Sequence, residues 1–386
     1  MENWQEAGFG LYVHWPFCAA KCPYCDFNSH VSDAVDQERW KAALLSDIDH
    51  WADRTGPRVL TSIFFGGGTP SMMPPDTVAA IIDKARTRWT AANDMEVTLE
   101  ANPTSADAAR FAGYVDGGVN RFSVGLQALN DQDLKRLGRL HTASEGRAAF
   151  DLARTLVDRV SCDLIYARQD QSPADWEAEL LHALDFAGEH LSLYQLTIED
   201  GTAFGRRHAQ GGLAGLPDED RSVDLWHITQ DLTNAAGLPR YETSNHAAPG
   251  AESRHNQIYW CGGDWVGVGP GAHGRLTLPD GRHATEAAKF PAAWLDRVAK
   301  AGTGTIGDTI LPRTEVADEM LLMGLRLNSG LDLDRYFRAG GHLDDGGLGR
   351  MVEQGFVEMD ADTLRATDAG SLLLNAVLVE LSPSTP

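Results

Sequence analysis

The chain has 386 residues, with 33 basic against 55 acidic side chains and a net charge of −22, a balance that repels nucleic acid and anionic lipid unless a local basic patch overrides it. No Lys/Arg block is present to do so, and the five cysteines, three of them bunched within eight residues, argue against a secreted disulfide framework and for metal or redox chemistry in a reducing compartment. The opening MENWQEAGFG has no basic or apolar leader pattern, and no stretch reaches the roughly 18 to 20 apolar residues of a membrane span. The expected location is therefore cytoplasmic, with any membrane association peripheral.

The length allows one large domain plus a smaller one. In chain order, short apolar runs at 10–14, 60–65, 95–100, 119–126, 160–166 and 191–196 read as strands, and amphipathic stretches such as 38–51 and 76–89 read as helices between them. Strands alternating with helices imply βαβ units, so the α/β fold class expected is a parallel, complete or partial (β/α)6 TIM-like barrel over residues 1–200. In such barrels chemistry collects at the C-terminal ends of the strands. Residues 201–314 read as a middle region in which 201–217 is a Gly-rich loop and 270–288 is turn-rich without a clear period. Residues 315–386 change to helices (316–327, 331–337, 348–354), two short strands (356–359, 363–366) and a last helix (367–381), a winged-helix-like pattern. With 13 acidic and 5 basic residues, that segment is a poor match for DNA.

Directly after the first strand, HWPFCAAKCPYCDF places Cys18, Cys22 and Cys25 as C-x3-C-x2-C on a loop. A structural zinc site closes four ligands, typically as two C-x2-C knuckles, and there is no second knuckle, because Cys162 and Cys261 are isolated. A cubane iron–sulfur cluster normally takes four thiolates, so three would leave one iron open to a substrate or cofactor. Zinc completed by His14 or His30, and plain buried thiols, are the alternatives from spacing alone. Further strand ends carry polar groups in sequence: FFGGGTPS with Gly67, Gly68 and Thr69, VTLEANP with Glu100, and RFSVGLQALN with Gln127 followed by Arg139, while Asp163 in CDLIY belongs to the fifth strand. Consecutive glycines let backbone approach a ligand closely, and an arginine suits a carboxylate by bidentate pairing.

The three-cysteine loop after a first barrel strand resembles the radical S-adenosylmethionine (SAM) superfamily. Together with GVNRFSVGLQALNDQDLKRLGRLH, LSLYQLTIEDGT, YETSNHA and HNQIYWCGGDWVGVGPGAHG, it resembles, from about residue 11 to the C-terminus, the haem chaperone family HemW. The resemblance implies a [4Fe–4S] cluster on Cys18, Cys22 and Cys25. It implies SAM beside Tyr12, Tyr24, Gly67, Gly68, Thr69, Glu100, Gln127, Arg139 and Asp163. It also implies haem as ligand and acceptor haemoproteins as partners. His255, in HNQIYW, is the candidate haem ligand and Cys261 the second; covalent attachment through C-x-x-C-H is not available. The alternative is the related oxygen-independent coproporphyrinogen III dehydrogenase. That family typically has a fourth cysteine where this chain has Phe27, and a long N-terminal arm where this chain has about ten residues; both differences favour the chaperone. One departure stands out. Ala167, Arg168 and Gln169 replace the Gly-Leu-Pro that usually follows this strand, and the alanine is expected to shift the loop above it.

Overall fold

The computed structural model describes residues 4–32 and 34–382. Six strands, β1 (Phe9–Trp15), β2 (Val59–Gly67), β3 (Thr90–Ala101), β4 (Arg121–Gln127), β5 (Arg159–Tyr166) and β6 (His190–Gln195), lie side by side in chain order and all pair parallel. Between them run α1 (Gln37–Thr55), α2 (Pro75–Arg88), α3 (Ala108–Asp116), α4 (Asp131–Arg136), α5 (Ala143–Leu156) and α6 (Pro173–Leu184). This is the partial barrel expected from the alternating pattern.

Strand alternation divides the layers. Leu11, Val13, Ile63, Phe65, Val97, Leu99, Phe122 and Val124 join the hydrophobic core with the helices. On α1, Trp40, Leu44, Ile48 and Trp51 recur at helical spacing and are buried, and Trp40 stacks flat on Trp294 at 5.4 Å. Side chains at the intervening strand positions are small or polar: Gly10, Ser62, Thr98, Ser123, Ser161 and Ser192. The register sets Gly10 beside Ser62, Ser62 beside Glu96, and Glu100 beside Ser123. Gly125 falls beside Asp163, and Asp163 beside Ser192.

The sheet continues on both sides of the six strands. β7 (Asn245–Ala247) adds antiparallel to β6, and β8 (Asp264–Val268) adds parallel to β1. β9 (His273–Leu278), β10 (Gly281–Ala287) and β11 (Thr305–Ile310) then extend that edge as an antiparallel meander. The segment 270–288, turn-rich without a clear period in the sequence, is thus a hairpin. It is held by fully buried Asp264, which accepts from Thr277 N and Oγ1 and from Arg58 and Arg282. The 201–217 loop likewise contains a short helix, Ala203–Ala209, capped by Thr202.

Residues beyond 311 form a separate hydrophobic cluster. Helices Arg313–Gly324, Leu333–Ala339 and Asp345–Glu353 pack with a three-stranded sheet of Leu331–Asp332, Thr363–Ala366 and Val357–Met359, as a winged-helix-like pattern requires. The last helix is broken into Asp368–Leu372 and Leu374–Leu381, because Leu373 takes a non-helical conformation. Among the described residues no helix is long and apolar enough to cross a membrane.

Candidate functional site

A cleft of about 380 Å³ opens at the C-terminal ends of the parallel strands. Cys18, Cys22, Cys25 and Tyr24 form one wall, and Gly67, Gly68 and Thr69 another. Glu100, Gln127, Arg139 and Asp163 complete it, so the strand-end residues singled out above meet in one place. Tyr12 and His255 do not reach it.

The thiol loop is fastened to the Gly-rich turn. Gly68 N donates to Trp15 O at 2.7 Å and Thr69 N to Phe17 O at 2.9 Å, while Thr69 Oγ1 donates to Cys18 Sγ at 3.4 Å. Glycine is required at 68 by contact: a Cβ there would stand 2.8 Å from Phe17 O and 3.0 Å from Cys18 Sγ. Burial pushes the Cys18 and Cys25 thiols above their ordinary value, so a positive centre is needed to draw thiolates from them. Among the described residues no three His, Cys, Asp or Glu side chains converge on a point that would hold one metal ion. A cubane spreads its thiolates over separate irons.

Arg139 reaches across from the turn after α4. Nη1 lies 3.5 Å from Cys22 Sγ and Nη2 donates to Gly125 O at 3.1 Å. Its buried Nε finds no acceptor among the described residues, which leaves a cation with spare donors facing the thiols. Opposite, Asp163 accepts from Ser123 Oγ at 2.8 Å and from Ser161 Oγ at 3.0 Å. Burial still pushes its carboxyl upward against those hydroxyls. Burial, then the charge of Asp163, pushes Glu100 up to about 8. Two carboxyl groups held above their ordinary range beside an under-bonded arginine suit a ligand carrying both cationic groups and a carboxylate. Gln127 adopts φ 70 at the end of β4, an uncommon conformation for a side-chain-bearing residue.

His255 lies at the opposite end of the barrel. Ser253 caps the helix Arg254–Trp260, which we call the plug helix, and Arg159 anchors its approach by donating to Ala251 O and Glu252 O. His255 is 1% exposed. Its Nδ1 is 2.8 Å from Ser62 Oγ, its Nε2 is 2.6 Å from Tyr259 Oη, and its ring stacks on Phe64 at 5.1 Å. Burial holds the imidazole down to about 3. Both ring nitrogens are thus hydrogen-bonded, and in this structure His255 pins the plug helix to the barrel interior. Tyr12 packs between the two sites: its hydroxyl lies 3.0 Å from His14 Nδ1 and its ring packs near Phe64 and His255. Cys261 closes the plug helix, with Sγ 3.6 Å from Gln257 Oε1.

In the loop after β5, Ala167 takes a left-handed φ of 59, and Arg168 turns away from the cleft, donating to Ile165 O at 2.6 Å and pairing with Asp133 and Glu179. Ser123, Tyr194 and Gln195 also line the cleft. They were missed in the sequence, where only the alternation of small polar residues along otherwise apolar strands marked an inward face.

A parallel partial barrel with three thiols and strand-end carboxylates around one cleft defines the radical SAM class of fold. The Radical SAM superfamily matches residues 12–182 and the HemN C-terminal domain residues 311–373. The heme chaperone HemW of Escherichia coli is 37% identical, covering 95% of this chain and 96% of its own length, and that of Mycobacterium tuberculosis is 34% identical, covering 96% and 94%. The mouse protein "Radical S-adenosyl methionine domain-containing protein 1, mitochondrial" is 38% identical, covering 97% and 87%. The solved coproporphyrinogen III oxidase (HemN) of E. coli matches in fold, with a TM-score of 0.80 at 21% identity over 98% of this chain and 92% of that one. The chain belongs to the heme chaperone HemW family of radical SAM proteins.

Proposed function

We propose that this protein binds a [4Fe–4S] cluster, SAM and haem, and passes haem to acceptor haemoproteins. The observation that carries the reading is the near full-length identity to heme chaperones. The cleft supports it: Cys18, Cys22 and Cys25 would hold the cluster, and three thiolates would leave one iron open to SAM. Around it, Arg139 would take a carboxylate, while Glu100, Asp163 and the Gly67–Gly68–Thr69 turn would face the cationic parts. Tyr24 and Gln127 would close the sides. In this reading residues 1–200 carry the cluster and SAM, 201–314 close the barrel, and 315–386 form an accessory module. The work is done in a reducing compartment, expected to be the cytoplasm.

Titration of hemin into anaerobically reconstituted protein tests the reading. A saturable change of the Soret band at one haem per chain is expected, and its absence overturns it. Incubation with SAM, reductant and coproporphyrinogen III separates the alternative: no decarboxylated product is expected, since Phe27 stands where the dehydrogenases typically carry a fourth cysteine. Product formation would replace the chaperone reading by the enzymatic one.

A further inference from the structure

Behind the cleft wall a guanidinium is buried where the turn after β5 meets α4. Arg168 is 3% exposed, and all three of its side-chain nitrogens are engaged. Nε donates to Asp133 Oδ2 at 3.1 Å, Nη1 to Ile165 O at 2.6 Å, and Nη2 to Glu179 and, at 2.9 Å, to Asp133. Asp133 lies on α4 and Glu179 on α6, so one side chain ties two helices to the end of β5. Removing a member of such a cluster leaves buried charge without its partner. Leucine, usual at this place in the family, could engage neither carboxylate.

What the cluster holds is α4. Six residues are too few for a helix to be stable by itself. Apolar contact of Leu134 and Leu137 with Ala128 and Ile165 sets its depth against the sheet, and Arg168 fixes its carboxylate side. Arg136 adds a second tie to the same turn, donating from Nη1 to Gln169 O at 3.0 Å and from Nη2 to Asp170 at 3.1 Å. Glu179 also accepts from Leu129 N at 2.7 Å, which secures the approach to α4.

The far end of α4 delivers Arg139. Arg139 N donates to Leu134 O at 2.9 Å and Gly138 N to Lys135 O at 3.1 Å, so the backbone of Arg139 is bonded to α4 and moves with it. Gly138, at φ 67, lies against the thiol loop, where a Cβ would stand 2.6 Å from Pro23 Cδ. A displaced α4 would therefore press on that loop or withdraw Arg139 from Cys22 Sγ, 3.5 Å away. With the Arg139 Nε unpartnered among the described residues, where its guanidinium points depends on where α4 holds its backbone.

We infer that Arg168 is a positioning residue for the cleft: through Asp133 it fixes α4, and through α4 it sets the Arg139 guanidinium against the carboxylate of the bound ligand. Arg168 does not itself line the cleft. The inference rests on the SAM reading for the identity of that ligand.

The test is SAM binding by calorimetry to the anaerobically reconstituted full chain, to Arg168→Met, to Arg139→Gln and to the double variant. Iron, acid-labile sulfide and far-ultraviolet dichroism are measured on each sample. Arg168→Met is expected to keep its cluster and dichroism and to weaken SAM about fivefold or more. In the Arg139→Gln background the same change is expected to weaken SAM by less than about twofold, because the group it positions is gone. Equal weakening in both backgrounds, the mark of a merely structural residue, overturns the inference, as does unchanged affinity in Arg168→Met; either leaves the SAM reading standing. If the unaltered protein binds no SAM, that reading falls and the inference with it. If Arg168→Met fails to fold or loses its cluster, the triple variant Arg168→Met, Asp133→Asn, Glu179→Gln, which strands no carboxylate, replaces it in the same comparison. Loss of the cluster by the triple variant also counts against the role.

Discussion

The two ends of this barrel are built from similar side chains and serve opposite purposes. At the plug end His255, Ser62, Tyr259, Glu96 and Arg159 bond to one another or to backbone until little donor or acceptor capacity is left. At the cleft end three thiols and an arginine with an orphaned Nε stand around the same space as two carboxyl groups that burial displaces from their ordinary range. Polar groups buried and paired make structure, whereas polar groups kept near one another and under-bonded are ready for a ligand. Residue type alone does not separate the two.

The largest effect separating the ends should come from Cys18→Ala: anaerobically reconstituted protein should lose nearly all cluster-bound iron and sulfide while its far-ultraviolet dichroism is kept. Retention of a full cluster would break the contrast. At the plug, His255→Ala should strand the Ser62 and Tyr259 hydroxyls and leave a cavity, costing about 2–5 kcal/mol in denaturant unfolding, with cluster content unchanged in the folded fraction. Arg139→Gln should retain the cluster and weaken SAM binding about tenfold or more, the worth of a charge-assisted pair, as read by calorimetry. Glu100 sharpens the electrostatic side. Its pKa, raised to about 8 against an ordinary 4.5, means the folded chain holds a proton that the unfolded chain releases. Without ligand, stability should therefore fall as pH rises from about 4.5 to 8, and Glu100→Gln should flatten that slope in thermal melts. The smallest effect belongs to Ala167→Gly. Relief of the left-handed strain, about 1–2 kcal/mol, is largely offset by the added freedom of the unfolded chain, about 0.4–1 kcal/mol. A gain of roughly 0.5 kcal/mol is expected, and cluster content should stay unchanged.

The barrel strands and the cleft were legible because their signals are local. Apolar runs end at Gly67, Glu100 and Gln127, Asp163 interrupts another, and strand ends are where a parallel barrel gathers its chemistry. The hairpin at 273–287 was harder to read, since one face carries His273, Arg275 and Arg282 and the buried face includes His283 beside Leu276. The Asp280–Gly281 turn inside it was nonetheless a signal that could have found it. Residues 255 and 30 illustrate the remaining gap. Each is a histidine near aromatics in the sequence, but whether its nitrogens are committed depends on Ser62 in one case and on Asn28 and Lys289 in the other. Those partnerships are set by register and long-range closure, which no local pattern encodes.

The plug helix is itself braced from beneath. Arg335 of the C-terminal module donates to the Cys261 carbonyl at 2.8 Å, and Asn328 N donates to Tyr241 O at 3.0 Å. The barrel is consequently a cup and not a conduit: under the proposed function a ligand would have to leave over the same lip by which it arrived, and an acceptor would have to approach from that side.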